Sequence, residues 1–239
     1  MARQKRAIRT RESILEAMAS LFIEVGYEAA TIAALVERTG LTRGALYFHF
    51  PTKEAMAHGV LARAVTRDGI RPQTYKLQEW VDLGLLLAHR LPREPMLRAA
   101  VQLSVDPKAR SLFGTRWPDW IDLGQDMLVE AKERGELLPH AVPAEIARLT
   151  VGAWTGVQLV TEALPDGLDL SEEIARLYQL ILPNVASIGV LAKLDTSPYR
   201  AERLLAAEAE AEAEAGAEAE AGPTTGAETA GGPAAKPLR

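Results

Sequence analysis

The stretch TIAALVERTGLTRGALYFHFPTKE, Thr31 to Glu54, decides the reading of this chain. Thr31 is a helix cap for a segment whose apolar residues Ile32, Leu35 and Val36 recur at helical spacing, and Gly40 supplies the left-handed backbone that ends it. Leu41 turns inward. Thr42 caps a second short helix, which puts Arg43 and Gly44 in its first turn and divides Ala45, Leu46 and Phe48 between core and outer face. Taken alone, two short helices about a glycine fit any helical hairpin. They also fit a helix-turn-helix, whose second helix enters the major groove of DNA with its N-terminal residues against base edges. In that reading Arg43 is the candidate for bidentate pairing with guanine O6 and N7. Thr42, Gly44 and the free backbone N–H groups of the first turn suit a phosphate, and Tyr47, Phe48, His49 and Lys53 extend the contact along the flank.

The residues before the hairpin favour DNA. Arg3, Lys5, Arg6, Arg9 and Arg11 form a basic arm with no acidic residue before Glu12. Such an arm can follow a phosphate backbone or reach an adjacent minor groove, and Arg3 and Arg6 are its candidate contacts. It has no apolar run of the kind a secretory leader needs. Between arm and hairpin, Ile14, Met18, Leu21, Phe22 and Val25 make one apolar stripe on a supporting helix closed by Gly26. After the hairpin, Thr52 caps a further helix carrying Met56, Val60 and Leu61 inward.

The net charge of -5 looks wrong for a nucleic-acid binder until it is divided along the chain. Residues 201–239 hold eight glutamates against Arg203, Lys236 and Arg239, which accounts for the whole -5, so residues 1–200 sum to zero. The basic front end therefore sits on a neutral body, and the acidity belongs to an Ala/Glu-rich, low-complexity tail. Alanine and glutamate favour helix, so part of the tail is expected to be helical, with disorder from about Gly216.

Between about Gln73 and Asp195 the chain is a series of helical periods broken by proline and glycine. One helix carries Leu77, Trp80, Leu83 and Leu87 and ends near Arg90; others span about Met96 to Ser104 and Trp117 to Arg134. Pro143 opens a further one through Val160, and Ser171-Glu172-Glu173 opens the last long one. No segment alternates long enough for a strand. The last two helices are more apolar than one packing face requires, which points to a four-helix contact with a second copy. A dimer sets two Arg43 helices toward successive major grooves about 34 Å apart and predicts a pseudo-palindromic site. Leu83, Leu87, Trp120, Met127 and Trp154 can enclose an apolar pocket, with Thr155, Gln158 and Thr161 as polar anchors.

Other classes of function find little support. There is no cysteine, which removes thiol nucleophiles, disulfides and thiolate zinc sites and suits a reducing cytoplasm. His49, His58, His89 and His140 are scattered without metal spacing, and no phosphate loop or nucleophile elbow occurs. Asp119, Asp122 and Asp126 share a helix face without a second liganding element. Neither an enzyme, a cofactor nor a metal is expected, and no run is long enough to span a membrane.

The run Gly26-Tyr27, Thr31-Ile32, Leu35, Gly40-Leu41-Thr42, Gly44 to Phe50 and Lys53-Glu54 resembles the DNA-binding domain of the TetR family of repressors. Within it, MARQKRAIRT (1–10), GALYFHFPTKE (44–54) and WIDLGQDMLVEAKERGELLPH (120–140) are similar to the γ-butyrolactone autoregulator receptors of antibiotic-producing soil bacteria. The resemblance implies an all-α chain of three parts. Residues 1–68 would hold a three-helix helix-turn-helix domain with its following helix, 69–200 a ligand-binding and dimerisation domain, and 201–239 the tail. It also implies a homodimeric cytoplasmic repressor released from its operator by a small hydrophobic signal, with Trp120 matching the tryptophan those receptors lay over their signal. Leu112 to Trp117 departs from the family pattern, which leaves open a pseudo-receptor answering to an antibiotic or a biosynthetic intermediate.

Overall fold

The computed structural model describes residues 2–164 and 167–221; of these, the side chains of Ala2, Arg3, Glu212 and residues 216–221 are not described. The described chain is a succession of helices with one isolated bridge, Leu137 to Ala186, and no strand. The front module comprises α1 (Ala2–Ala29), α2 (Ile32–Thr39), α3 (Arg43–His49) and α4 (Lys53–Leu61). Gly26, at φ 76°, interrupts α1 where the sequence reading closes it. The basic arm is not extended: its residues form the first turns of α1, so they are held on a rigid helix rather than a free strand.

The body is built from α5 (Lys76–Arg90), α6 (Pro95–Val105), α7 (Pro107–Phe113), α8 (Trp117–Glu133), α9 (Pro143–Ala163), α10 (Leu170–Ile181) and the short α11 (Ile188–Leu191). A final helix, α12 (Arg200–Ala221), follows. It is longer than α10, which the periodicity had as the last long helix, and it runs past Gly216, where disorder was expected. Residues 222–239, where the rest of that expectation falls, lie outside the described residues.

Two apolar cores result. One is centred on Ile14, Met18, Phe22, Leu35, Leu46 and Met56 of the front module, and it also takes Ala99, Ala100 and Leu103 from α6 and Ala109 from α7. The other packs α5, α8, α9 and α10 around Leu77, Trp80, Leu85, Leu128 and Tyr178. Two buried carboxylates hold the body together. Glu136 accepts from the backbone N–H of Lys76 at 3.0 Å and of Leu77 at 2.8 Å, capping the otherwise uncapped start of α5 from 60 residues away. Asp82, in the middle of α5, has no exposed surface; Arg200 Nη2 donates to its Oδ2 at 2.9 Å, Arg200 Nε to its Oδ1, and Gln78 Nε2 to Oδ1 at 2.7 Å. That pair locks the first turn of α12 against α5. Gly84 is needed for close packing of α5 on α10, because a Cβ there would lie 2.1 Å from Tyr178 Oη.

Candidate nucleic-acid interface and internal cavity

The hairpin forms as its local chemistry requires. Thr31 Oγ1 accepts from Ala34 N at 3.1 Å, Thr42 Oγ1 from Ala45 N at 3.2 Å and Thr52 Oγ1 from Ala55 N at 3.1 Å. Gly40 adopts φ 66° and returns its N–H to Val36 O, while Leu35 and Leu46 meet in the front core. The opposite side of α3 is left to solvent. Arg43 and Gly44 are exposed, Tyr47 is exposed, and Phe48 shows 84% of its surface. A phenylalanine left so open keeps apolar surface free for a partner to bury, and thymine methyl groups in a major groove are one such cover. Arg43 enters no ion pair among the described residues. His49 is half-buried with its ring 5.3 Å from that of Phe48. Lys5, Arg6 and Arg9 are exposed on the first turns of α1; the Arg3 side chain lies outside the described residues.

Lys53 departs from the expected flank contact. Its ammonium donates to Tyr27 O at 2.8 Å, Ala30 O at 3.0 Å and Glu28 O at 3.3 Å, and it sits 4.2 Å from the centroid of the Tyr27 ring. All three of its N–H donors are thereby used on carbonyls at the end of α1 and just beyond it. Burial holds its pKa below the usual lysine value, against the opposing pull of Glu54. The Tyr27 phenol, desolvated and bonded to Glu54 at 3.3 Å, is pushed up to about 12. Lys53 fixes the module that presents α3 and leaves no hydrogen for a phosphate.

Inside the body lies a cavity of about 80 Å³ between α5, α6, α8, α9 and α10. All four tryptophans of the chain, Trp80, Trp117, Trp120 and Trp154, line it, together with Leu83, Leu87, Val101, Thr150, Thr155 and Tyr178. Trp154 Nε1 donates to Gly84 O at 3.2 Å, and the Trp80 and Tyr178 rings meet edge to face at 5.1 Å. Burial, and secondarily the Asp82 charge, raises the Tyr178 phenol pKa, keeping it neutral. Leu83, Leu87, Trp120, Trp154 and Thr155 therefore come together as the sequence reading expected. Met127, Gln158 and Thr161 do not reach this lining. Met127 packs in the body core, Gln158 is buried elsewhere on α9 with Oε1 unpaired, and Thr161 stands half-exposed two turns beyond Trp154. The sequence reading missed Trp80, Trp117, Tyr178 and Arg116 in this wall, because helical period locates a face but not which of two inward neighbours it meets.

Ala64 and Ala100 line the cavity and are also members of the front core. Both are almost wholly buried, so each methyl is a partition with the body chamber on one side and the α1–α4 module on the other. Alongside Trp117, Val151 and Thr155, a second apolar groove of about 380 Å³ continues along α8 and α9 past Ile121, Arg148, Gly152, Gly156 and Leu159.

A capped helix-turn-helix with an open face, carried on a helical body, is the architecture of a helix-turn-helix transcriptional regulator. Residues 14–60 match the family of bacterial regulatory proteins, tetR family, and the chain belongs to that family. It is 39% identical to the A-factor receptor protein of Streptomyces griseus over 195 residues, 81% of this chain and 70% of that protein. The crystal structure of TylP, a TetR regulator from Streptomyces fradiae, matches with a TM-score of 0.76 at 38% identity, covering 84% of this chain and 97% of the other. CprB from Streptomyces coelicolor, in complex with its biological operator sequence, matches with a TM-score of 0.63 at 25% identity over 79% of this chain and 94% of its own. Among the described residues no helix is long and apolar enough to cross a membrane.

Proposed function

We propose that this chain is a dimeric repressor of secondary-metabolism genes that leaves its operator when a small, largely apolar signal enters the aromatic chamber. Residues 1–68 bind DNA and 69–200 bind signal and partner. Arg43 reads a base edge, Thr42, Gly44, Tyr47, Phe48 and His49 complete the contact, and Arg6 with its neighbours on α1 follows the phosphates. Leu149 and Val160 on α9 and Leu180 on α10 are left exposed on the two helices that the sequence pattern assigns to self-association, and a second copy covers them. That the family relatives include the A-factor receptor protein supports a γ-butyrolactone, a butenolide or a related molecule as the signal.

The observation that carries this reading is the shared wall at Ala64 and Ala100. About 80 Å³ is well short of the roughly 300–1,000 Å³ of ordinary ligand sites, so a signal cannot enter without enlarging the chamber. Outward movement of Trp117 joins it to the α8–α9 groove; movement of α6 against α4 and α1 shifts the front module. A ligand acts only through its differential affinity for the two arrangements, and a coupling of about 1–3 kcal/mol changes operator affinity about 5- to 150-fold. The α9 and α10 contact fixes the separation of the two α3 helices, so rotating each module spoils simultaneous docking.

The departure of Leu112–Trp117 from the receptor pattern, which places Arg116 in the chamber wall, favours a pseudo-receptor as the second reading. Anisotropy titration of the full chain on its own upstream DNA, repeated with butyrolactones, butenolides and furan acids, tests both. Specific binding with release by one of these is expected. A monomer that binds no promoter fragment at low salt refutes the repressor, and operator affinity unchanged by every compound refutes the signal.

A further inference from the structure

The backbone joins the α1–α4 module to the body only through residues 62–75, and among the described residues no helix or strand lies between Leu61 and Lys76. Such a connector is ordinarily free at the surface. Here its middle is a turn, Arg67 to Ile70, closed by the Ile70 N–H donating to Arg67 O at 3.0 Å. Gly69 takes the third position at φ 83°, where only a glycine sits without strain. Gly69 is nevertheless buried, and two leucines bury it. A Cβ built on Gly69 would stand 3.4 Å from Leu205 Cδ2 of α12 and 3.4 Å from Leu86 Cδ2 of α5. Arg90 Nη1, at the end of α5, donates to Asp68 O of the same turn at 3.3 Å. The helix α12 reaches the turn from a fixed start: Arg200 is held by Asp82, Ala201 has no exposed surface, and Glu202 Oε1 lies 3.9 Å from His89 Nδ1. Leu205 is also the last apolar residue of α12 larger than alanine, since Ala206 to Ala221 is alanine, glutamate and one glycine. The large apolar surface of α12 therefore ends on the connector.

We infer that α12 is a strap across the hinge of the molecule: Leu205, closing over Gly69 together with Leu86, holds the turn on which the operator-binding module is carried, and so sets the spacing at which a dimer presents its two α3 helices. This rests on the dimeric-repressor reading, and it makes Leu205 a positioning residue for operator spacing although it touches no DNA. Each base pair between half-sites moves them about 3.4 Å along the duplex and about 35° around it. A module held by its connector tolerates little such change, and a loosened one tolerates more.

The test compares full-length wild type, Leu205→Ala and Leu205→Met, the last of which keeps the apolar volume. Hydrogen exchange reads the connector directly. Anisotropy reads binding to the palindrome that the wild-type chain selects from a random duplex pool, as selected and with one base pair inserted or removed at its centre. In Leu205→Ala the amides of residues 67–75 are expected to exchange about tenfold or more faster, while those of α8 and α9 keep wild-type protection. The preference for the selected spacing over the altered ones is expected to fall about fivefold or more, and Leu205→Met to restore both. A purely structural loss would instead raise exchange throughout the body and weaken all three duplexes in the same ratio, and that result overturns the proposal. So does connector exchange unchanged by Leu205→Ala, or a spacing preference left intact. If the wild type selects no palindrome, the spacing role falls with the repressor reading, and exchange alone decides whether Leu205 holds the connector.

Discussion

Arg200→Ala is expected to cost about 3–5 kcal/mol of folding stability at pH 7.5, the price of stranding a buried charge. Asp82 has no exposed surface, and two of the three donors on its carboxylate come from the Arg200 guanidinium. Without Arg200, only the Gln78 amide remains. Burial already holds the Asp82 pKa above the ordinary aspartate value, and Arg200 is the main opposing influence, so its removal drives the pKa higher still. A carboxyl whose folded pKa is raised favours the fold below its unfolded pKa, and that advantage is lost as pH rises through the folded value. The deficit of Arg200→Ala relative to wild type should therefore be small near pH 4 and grow toward neutrality. Urea unfolding followed by circular dichroism, at one protein concentration and at pH 5, 6 and 7.5, measures it. Asp82→Asn combined with Arg200→Met should lose much less than Arg200→Ala alone, since neither member is then charged. A loss under about 1 kcal/mol at pH 7.5, the worth of an exposed pair, or a deficit that shrinks as pH rises, would refute the reasoning.

Three further outcomes are expected. Arg43→Ala should weaken operator binding by about 1–3 kcal/mol and relax sequence preference at one base pair per half-site, seen by anisotropy on single-substitution operators. Lys53→Met should lower the thermal midpoint of the full chain, by about 1–3 kcal/mol of stability, yet leave the slope of log affinity against log salt unchanged, because its ammonium serves Tyr27, Glu28 and Ala30 rather than a phosphate; a slope reduced by about one contact shows the opposite. Ala100→Leu should overfill the shared wall at about 1–3 kcal/mol and weaken operator binding without any signal present, and full repression by this variant would deny that α6 transmits the effect.

What was legible in the sequence is what local chemistry decides. Three threonine caps, the Gly40 turn, the Pro143 start of α9 and the apolar stripe of α1 each depend on residues within a turn or two. The long-range pieces were not legible. Glu136 caps α5 across 60 positions and Arg200 meets Asp82 across 118, and nothing near either residue marks it as half of a pair. Arg200 was consequently read as the last residue before a tail when it anchors a helix. Lys53 was placed on the DNA flank because α4 follows α3 closely; its direction is set by the end of α1, which no spacing within the hairpin reveals. Met127 and Gln158 face inward as their period requires, and only the positions of α5 and α10 decide that inward there means core rather than chamber.

Two alanine methyls, at positions 64 and 100, are all that part the chamber from the core of the front module at those points. With the chamber as the proposed signal site, new chemistry on that side comes at the expense of repression, since any side chain enlarged there also leans on the core of the α1–α4 module. The remote panels, Leu83, Trp154 and Arg116, touch no part of that module's core. Descendants of this protein that switch allegiance to another compound should have been rewritten there first, with Ala64 and Ala100 left as they are.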